Sequence, residues 1–303
     1  MSHERAARDP LPGAEELAGL VPAPGSAVWR IAGDARLLAG AGAALLLQVA
    51  HPTVAAGVRD HSNFAADPWG RLLRTLDFTN DLVFGGPEAA GAAGRRVWRS
   101  HARIEGTTLD GRPYRAREPD AYAWVHASLA ESIISSHERL VAPLRRAELE
   151  CFWADWRRLG RVVGVDADEL PVSWTDFAAY RERTIAERLG DNDVVRAVLG
   201  ALRAPGAPRL PALADPAWRI ARIPIGTVFA LATVGLLPPR LRDRLGLGWG
   251  RAEAVELGML AAASRAATPL LPGSVRDFGA TYRRLRGARR RGAPRGLFAA
   301  KAA

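Results

Sequence analysis

Apolar positions recur along most of the chain at the three- and four-residue spacing of an amphipathic helix, and prolines or capping residues separate the runs. The pattern predicts a helix from the cap Asp34 to about Ala50, with Pro52 bending or restarting it. Asp67 followed by Pro68 predicts another start. Signals for strands are weak, because no alternating run has a hairpin turn at the right spacing. We therefore predict an all-α fold, a single domain of about ten helices.

Prolines, glycines and capping residues also divide the rest of the chain into predicted segments. Residues 1–26 are rich in proline, glycine and charge and predict an N-terminal arm, residues 27–282 form the predicted helical domain, and residues 283–303 form a basic C-terminal tail. Residues 205–208 predict a loop. Further helices are predicted from Asp67 to Phe78, over about 87–105, from Pro119 to about Val141, from Pro143 to Leu159, from Ser173 or Thr175 to Leu189, and from Asp191 to Leu202.

Composition removes several classes of function. A single cysteine, Cys151, excludes an internal disulfide framework, a cysteine-type zinc site and an iron–sulfur cluster. The formal charge is +10, and every basic residue except Lys301 is an arginine, which excludes a Walker A phosphate loop. Because arginine abundance also follows base composition of a genome, we predict no specific nucleic-acid partner. The basic tail is either a solvated end or a peripheral contact to an anionic membrane surface.

Two stretches, residues 37–58 and 223–237, carry no charged side chain. Pro52 interrupts the first, and the second is shorter than the roughly 20 residues that a spanning helix needs. We interpret both as buried helices that line an apolar pocket. The lone cysteine and the charged N-terminal residues 1–20 predict a cytoplasmic protein.

Five of the six histidines lie between His51 and His137, which suggests haem or metal chemistry. His126 lies in the middle of a predicted helix and shares its face with Leu129 and Ile133. A neutral imidazole on an apolar helix face is typical of a proximal haem ligand, and equally of a buried histidine with one hydrogen bond. Both interpretations stay open at this point.

Three polar residues, Arg71, Arg74 and Thr75, share one face of the helix that begins at Asp67. Arginine forms paired hydrogen bonds with carboxylates, so this face could hold haem propionates or an anionic substrate. The alternative is a solvated face on which Asp67 pairs with Arg71.

Taken in order, the segments HPTVAAGVRDHSNFAADPWGRLLRT, VFGG, HARIEG and YRAREPDAYAWVHASL resemble the MpaB-type oxygenase family, which includes the latex-clearing proteins, or rubber oxygenases. The resemblance implies a globin-like helical core with non-covalent haem b, and an enzyme that cleaves a carbon–carbon double bond with dioxygen. Matched by motif, His126 is the implied iron ligand, and Arg71, Arg74 and Thr75 match an Arg-x-x-Lys-Thr motif of rubber oxygenases.

The chain departs from that pattern at two points. Arg74 stands where rubber oxygenases carry a lysine, and no glutamate lies between Glu16 and Glu88 to supply the base that they use. We therefore expect a haem b oxygenase for a hydrophobic, isoprenoid or lipid-like substrate rather than for polyisoprene. Arg74, His51 and His61 are the predicted catalytic residues, and Arg71, Thr75 and His126 the predicted haem-binding residues. The alternative is a helical haem- or lipid-binding protein without turnover.

Overall fold

The protein is described by a computed structural model that covers residues 11–62, 67–203, 215–279 and 281–282. Helices fill most of these residues, so the predicted all-α fold is confirmed. The predicted loop at 205–208 and the basic tail lie outside the described residues. The helices are α1 Ala14–Leu20, α2 Ala27–Ala32, α3 Ala41–Val49, α4 Pro52–His61, α5 Pro68–Phe84, α6 Gly86–His101, α7 Pro119–Leu140, α8 Arg146–Val162, α9 Trp174–Glu187, α10 Asp193–Arg203, α11 Asp215–Leu236, α12 Pro239–Arg244, α13 Arg251–Ala267 and α14 Gly273–Arg276.

The two predicted N-caps, Asp34 and Asp67, are at the starts of helices in the structure. The Asp34 carboxylate accepts a hydrogen bond from the backbone N–H of Arg36 and opens a 3-10 helix, residues 35–40, that leads into α3. Asp67 caps α5 in the same way, and that helix continues beyond the predicted end to Phe84. None of the described helices is by itself long and apolar enough to span a membrane; the pair Ala35–Val49 and Pro52–His61 reaches that length together, across a bend of 103°.

Other predicted boundaries also differ from the structure, among them the end of the helix predicted over about 87–105, which lies at His101. Residues 14–20 of the predicted arm form α1, because Leu17 and Leu20 are buried where α1 packs on α6 and α8. Helix α8 begins at Arg146 rather than at Pro143, and the Glu148 side chain accepts the backbone N–H of Arg145 at its start.

A small hairpin lies in the segment between α6 and α7 that we predicted as a loop. Strands β1, Glu105–Thr107, and β2, Pro113–Arg115, pair antiparallel. The turn contains Gly111 with φ of +82°, a conformation that favours glycine. Both strands pack against α4, and Tyr114 is buried there with its hydroxyl donating to Asp60 at 2.6 Å.

Helix α7 lies at the centre of the fold and packs against α2, α3, α8, α11 and α13. Pro119 at its first turn and His137 and Arg139 in its last turn suit the direction of the helix dipole. Alanine and serine fill much of its buried surface, which lets neighbouring helices approach closely. Trp124 ties it to α3 by donating its indole N–H to the Leu47 carbonyl at 2.8 Å.

His126 joins α7 to α8 through two reciprocal hydrogen bonds with Trp156. Its Nε2 lies 2.8 Å from the Trp156 carbonyl, and the Trp156 indole N–H donates to the His126 carbonyl at 3.0 Å. The two rings stack with centroids 5.1 Å apart. Because a carbonyl only accepts, Nε2 carries the hydrogen, and burial lowers the pKa of His126 to about 4. The imidazole is therefore neutral and sealed between two helices.

Close backbone approach fixes α8 on a second side. A Cβ on Gly94 of α6 would lie 2.0 Å from the Val162 carbonyl oxygen, and a Cβ on Gly160 would lie 3.0 Å from His126 Nε2. These distances are shorter than van der Waals contact, so α6 and α7 reach α8 only where a side chain is missing.

We predict that acid destabilises the fold through His126. Below pH 6.5 the unfolded state binds a proton on this residue that the folded state, with its pKa of about 4, does not bind. His126→Gln keeps a donor for the Trp156 carbonyl and does not titrate. Between pH 7.5 and 5 the wild type should lose about 2 kcal/mol of unfolding free energy relative to this variant, measured by urea denaturation. Equal losses in both proteins would contradict this assignment.

We also predict that Gly94→Ala lowers the free energy of unfolding by about 1–3 kcal/mol, because its Cβ clashes with the backbone of α8. Gly258→Ala is the matched control, since a Cβ at this exposed position of α13 meets nothing within 4 Å. The control should raise stability by about 0.5–1 kcal/mol through helix propensity. Thermal and urea unfolding measure both, and a tolerated Gly94→Ala would show that α6 can move away from α8.

Candidate functional site

An apolar cavity of about 280 Å³ opens between the 3-10 helix 35–40 and helices α3, α5, α7, α10 and α11. Its volume lies at the lower end of the roughly 300–1,000 Å³ found for small-molecule sites. Both uncharged stretches predicted to line a pocket contribute side chains to it. Its polar lining groups come from Gln48, Arg71, Thr75, Thr79 and Ser132.

Arg71 is the charged residue that lines this cavity. Its Nη1 donates to the Ser62 hydroxyl at 2.5 Å, and among the described residues it has no carboxylate partner. Burial and the nearby charge of Arg74 lower the pKa of Arg71, and among the described residues no acidic side chain offsets them. Because a partly buried guanidinium without an anion is energetically costly, a ligand with a negative group would stabilise this site.

The other two residues of the predicted polar face are more exposed. Thr75 lines the cavity mouth and donates its hydroxyl to the Arg71 carbonyl at 3.1 Å. Arg74 points outward and forms a 3.5 Å ion pair with Asp67. The alternative pairing of Asp67 with Arg71 is therefore wrong, because the aspartate that caps α5 reaches Arg74 while Arg71 turns inward.

His101, the last residue of α6, lies near Arg71. Its ring contacts Tyr122 of α7 edge-on, with centroids 5.6 Å apart. Its Nδ1 is buried and has no hydrogen-bond partner in the described part of the chain. Burial, followed by the charges of Arg117 and Arg71, lowers the pKa of His101 to about 4. The imidazole is neutral at physiological pH and has one ring nitrogen without a partner, which is the form that binds a metal.

The three histidines predicted from the sequence as site residues do not line the cavity. His126 bonds and stacks with Trp156, whose own side chain does line the cavity. His51 precedes α4, is 3% exposed and has a buried Nδ1 without a partner, and burial lowers its pKa to about 4. His61 is exposed, and its Nε2 lies 3.1 Å from the Glu105 carbonyl. The structure thus brings Arg71 and Thr75 to the cavity but leaves His51 and His61 outside its wall.

These observations test whether the residues suit haem. The described residues contain no cluster of three or more histidine, cysteine or acidic side chains, but haem iron takes its protein ligand from a single axial residue. His126 does not suit that role in this conformation, because the Trp156 carbonyl occupies its Nε2. His101 does not line the cavity either, but its buried Nδ1 has no partner in the described part of the chain, and the charge of Arg71 acts on its ring. His101 and His126 are therefore the two candidate ligands for haem iron, and Nε2 of His126 would first have to leave the Trp156 carbonyl.

Sequence reasoning did not select His101. Helical periodicity does place His101 one turn after Val97 and Trp98, on the apolar face of α6, and that signal was not used. A second signal that could have found it is its place in the segment HARIEG, which is one of the four matched motifs.

Comparisons with known proteins identify the family of the chain. The profile of the family described as "ER-bound oxygenase mpaB/B'/Rubber oxygenase, catalytic domain" matches residues 29–266. Two similar proteins are the uncharacterized protein Rv2237 of Mycobacterium tuberculosis and the uncharacterized protein Mb2261 of Mycobacterium bovis. Each is 25% identical over 232 residues, which is 75% of this chain and 87% of the relative. No solved structure is significantly similar.

The matched region spans α2 to nearly the end of α13 and contains every residue that lines the cavity except Phe278. The cavity is thus formed almost entirely within the part of the chain that the family profile describes. The chain belongs to the mpaB and rubber oxygenase family and contains its oxygenase catalytic domain.

Proposed function

We propose that the protein is a haem b-dependent oxygenase that uses dioxygen on a hydrophobic, isoprenoid or lipid-like substrate. The observation that supports this most directly is Arg71, a partly buried guanidinium at an apolar cavity without a carboxylate partner among the described residues, whose charge acts on the neutral imidazole of His101. An anion receptor and a ligand for iron at the edge of an apolar cavity are the two polar functions that haem binding requires.

Arg71 would bind a propionate of the haem, and Thr75 would add a hydrogen bond from the next turn of α5. A propionate would restore to Arg71 the negative partner that the described residues do not supply. His101 would bind the iron. We keep His126 as the second candidate ligand, because one turn of its ring about the side-chain bonds would free Nε2 from the Trp156 carbonyl.

Haem iron, when bound, supplies the binding and activation of dioxygen. The chain itself supplies an enclosure that excludes water, formed by Leu45, Leu76, Ile133 and Phe229. Gln48 and Ser132 are two uncharged polar residues on that wall that can orient a substrate. Arg74 stands near Thr75 at the mouth, where its charge can attract an anionic substrate but cannot act as a base.

One observation favours the alternative of a haem- or lipid-binding protein without turnover. No aspartate or glutamate lines the 280 Å³ cavity among the described residues, and the rubber oxygenase branch depends on a glutamate base. A protein that binds haem without consuming dioxygen in the presence of prenylated lipids would match this alternative.

We predict that the protein, expressed with 5-aminolevulinate and iron, purifies with a Soret absorption band. His101→Gly should remove or shift that band, because it removes the axial nitrogen, and added imidazole should restore the wild-type spectrum by entering the vacated space. His126→Gly is the matched control, which should retain a wild-type spectrum and lose stability instead. Absorption spectroscopy with and without 10 mM imidazole distinguishes the two ligands.

Each outcome of this experiment decides one point. A spectrum lost in His126→Gly and restored there by imidazole would make His126 the ligand. A wild type without a Soret band, both as purified and after reconstitution with hemin, would overturn the haem proposal. Dioxygen consumption with prenylated lipids then separates an oxygenase from a binding protein.

We also predict that Arg71→Gln weakens haem retention by roughly 10- to 100-fold, the value of a lost charge-assisted hydrogen bond. Arg74→Gln, one turn away and exposed, is the control and should change retention less than twofold. Transfer of haem to an excess of apomyoglobin measures both rates. Equal rates in the two variants would show that Arg71 does not contact the cofactor.

A further inference from the structure

The cavity of about 280 Å³ extends along helix α3, from Gly40 just before that helix to Gln48 near its end. Helix α3 lies antiparallel to α7. Near its end, the Leu47 carbonyl accepts the indole N–H of Trp124, and at its start Gly40 lies against Ser136. Because an α-helix rises by about 1.5 Å per residue, Trp124 and Ser136 are about 18 Å apart along α7. The cavity therefore has two ends, one near the start of α7 and one in its second half.

Arg71 and Ser132 lie at different ends of this cavity. The charge of Arg71 acts on the imidazole of His101, and that ring contacts Tyr122 near the start of α7. At the other end, a Cβ on Gly40 would lie 3.5 Å from the backbone carbonyl oxygen of Ser132. Tyr122 and Ser132 are about 15 Å apart along α7, so a guest that fills the cavity meets the two ends with different parts of its structure.

The Ser132 hydroxyl is buried and has no hydrogen-bond partner in the described part of the chain. Ser132 is only 5% exposed, so bulk water does not replace the missing partner. Two threonines of the same lining differ from it, because the hydroxyls of Thr75 and Thr79 donate to backbone carbonyls one turn earlier on α5. Ser132 therefore keeps its hydrogen-bonding capacity for a group that enters the cavity.

Two further hydroxyls lie behind the wall at the Ser132 end. Ser136 and Thr233 are fully buried, and their hydroxyl oxygens also have no partner among the described residues. Only glycines separate them from the cavity, because a Cβ on Gly40 would lie 2.0 Å from Oγ of Ser136 and a Cβ on Gly42 would lie 2.1 Å from Oγ1 of Thr233. Unpaired hydroxyls are unfavourable inside an apolar core. Three of them at one end give this part of the cavity a polar character.

The chemistry of the Ser132 end favours an uncharged guest group. Arg71 is the charged residue in the described lining, and it lies at the other end, so an ion would find no counter-ion beside Ser132. A serine hydroxyl both donates and accepts, and rotation about one bond moves it between staggered positions as a guest enters. It pairs with a hydroxyl or carbonyl oxygen, whereas a hydrocarbon would leave it unpaired.

We propose that the end of the cavity remote from Arg71 binds an uncharged oxygen of the ligand, a hydroxyl or a carbonyl group, and that Ser132 recognises it through a hydrogen bond. The inference rests on the proposed function for the identity of this ligand as the substrate. The substrate is then an apolar molecule with an oxygen at one end, not a pure hydrocarbon. Its apolar part lies between Ser132 and Arg71.

The probes are 3-phenyl-1-propanol and butylbenzene, which have nearly the same shape and differ by a hydroxyl in place of a methyl group. Equilibrium dialysis against the purified full-length protein measures both dissociation constants. We expect Ser132→Ala to weaken binding of the alcohol by about three- to tenfold, the value of one hydrogen bond. Binding of butylbenzene should stay within twofold of wild type, because it makes no hydrogen bond in either protein.

Ser128→Ala is the matched control. Ser128 is fully buried one turn earlier on α7 and does not line the cavity, and its hydroxyl donates to the Val125 carbonyl at 2.8 Å. This variant should leave both dissociation constants within twofold of wild type. Melting temperature gives a second test. Ser132→Ala should raise it by about 2–4 °C, because it removes an unpaired buried hydroxyl, and Ser128→Ala should not raise it.

Several outcomes would overturn the inference: no binding of either probe to the wild type, equal weakening of both probes by Ser132→Ala, or unchanged binding of the alcohol. Gln48→Leu tests the other end, and alcohol binding that depends on Gln48 instead of Ser132 would place the oxygen near Arg71 and also overturn it. Selective weakening of the alcohol in a protein without a Soret band would support the inference and overturn the haem proposal. A Soret band without probe binding would overturn the inference alone.

Discussion

The stacked pair of His126 and Trp156 is the constraint on which the arrangement of helices depends. Two hydrogen bonds between these residues satisfy the polar groups of both side chains and two carbonyls, all inside the core where water is absent. Either side chain alone would leave a buried donor or acceptor without a partner, which costs roughly 1–3 kcal/mol. The pair therefore fixes both the distance and the rotation of α8 on the central helix α7.

The cavity follows from that arrangement. With Trp156 held against His126, its ring forms part of the cavity wall and cannot fill the space beside it. Helix α5 then closes the opposite side and carries Arg71 into an environment that lacks a described carboxylate. The fold thus tolerates a partly buried charge at one point of an otherwise apolar enclosure, and a local cost of this kind is common at binding sites.

Much of the fold could be predicted because its signals are local. Asp67 and Pro68 specify a helix start through backbone hydrogen bonding and the fixed φ of proline, which need no knowledge of distant residues. The predicted helix start at Pro143 was wrong, because proline is compatible with the first turn of a helix but does not require one there. The Asp110-Gly111 turn closes a hairpin only because Tyr114 finds a buried site beneath α4, a contact that local sequence does not contain.

The candidate site could be predicted only in part. Spacing on α5 placed Arg71 and Thr75 on one face, and both line the cavity. Helical periodicity also indicated that His126 is buried, but it could not tell whether the ring faces a cavity or a carbonyl on another helix. That difference depends on where Trp156 lies, 30 positions later in the chain. The contact of His101 with Tyr122, 21 positions later on α7, is likewise one that the local sequence does not contain.

The glycine contacts of α8 have a mechanical consequence. At Gly94 the main chain of α8 lies closer to α6 than a side chain at that position would allow. At Gly160 the imidazole of His126 likewise lies close to α8 on another side. Because its contacts on two sides are this close, helix α8 has little freedom to slide or rotate. The side of the enclosure that contains Trp156 therefore stays in place. If the enclosure expands to admit a guest, the displacement must come from another side, such as that of α5, which packs mainly against α6 outside the cavity wall.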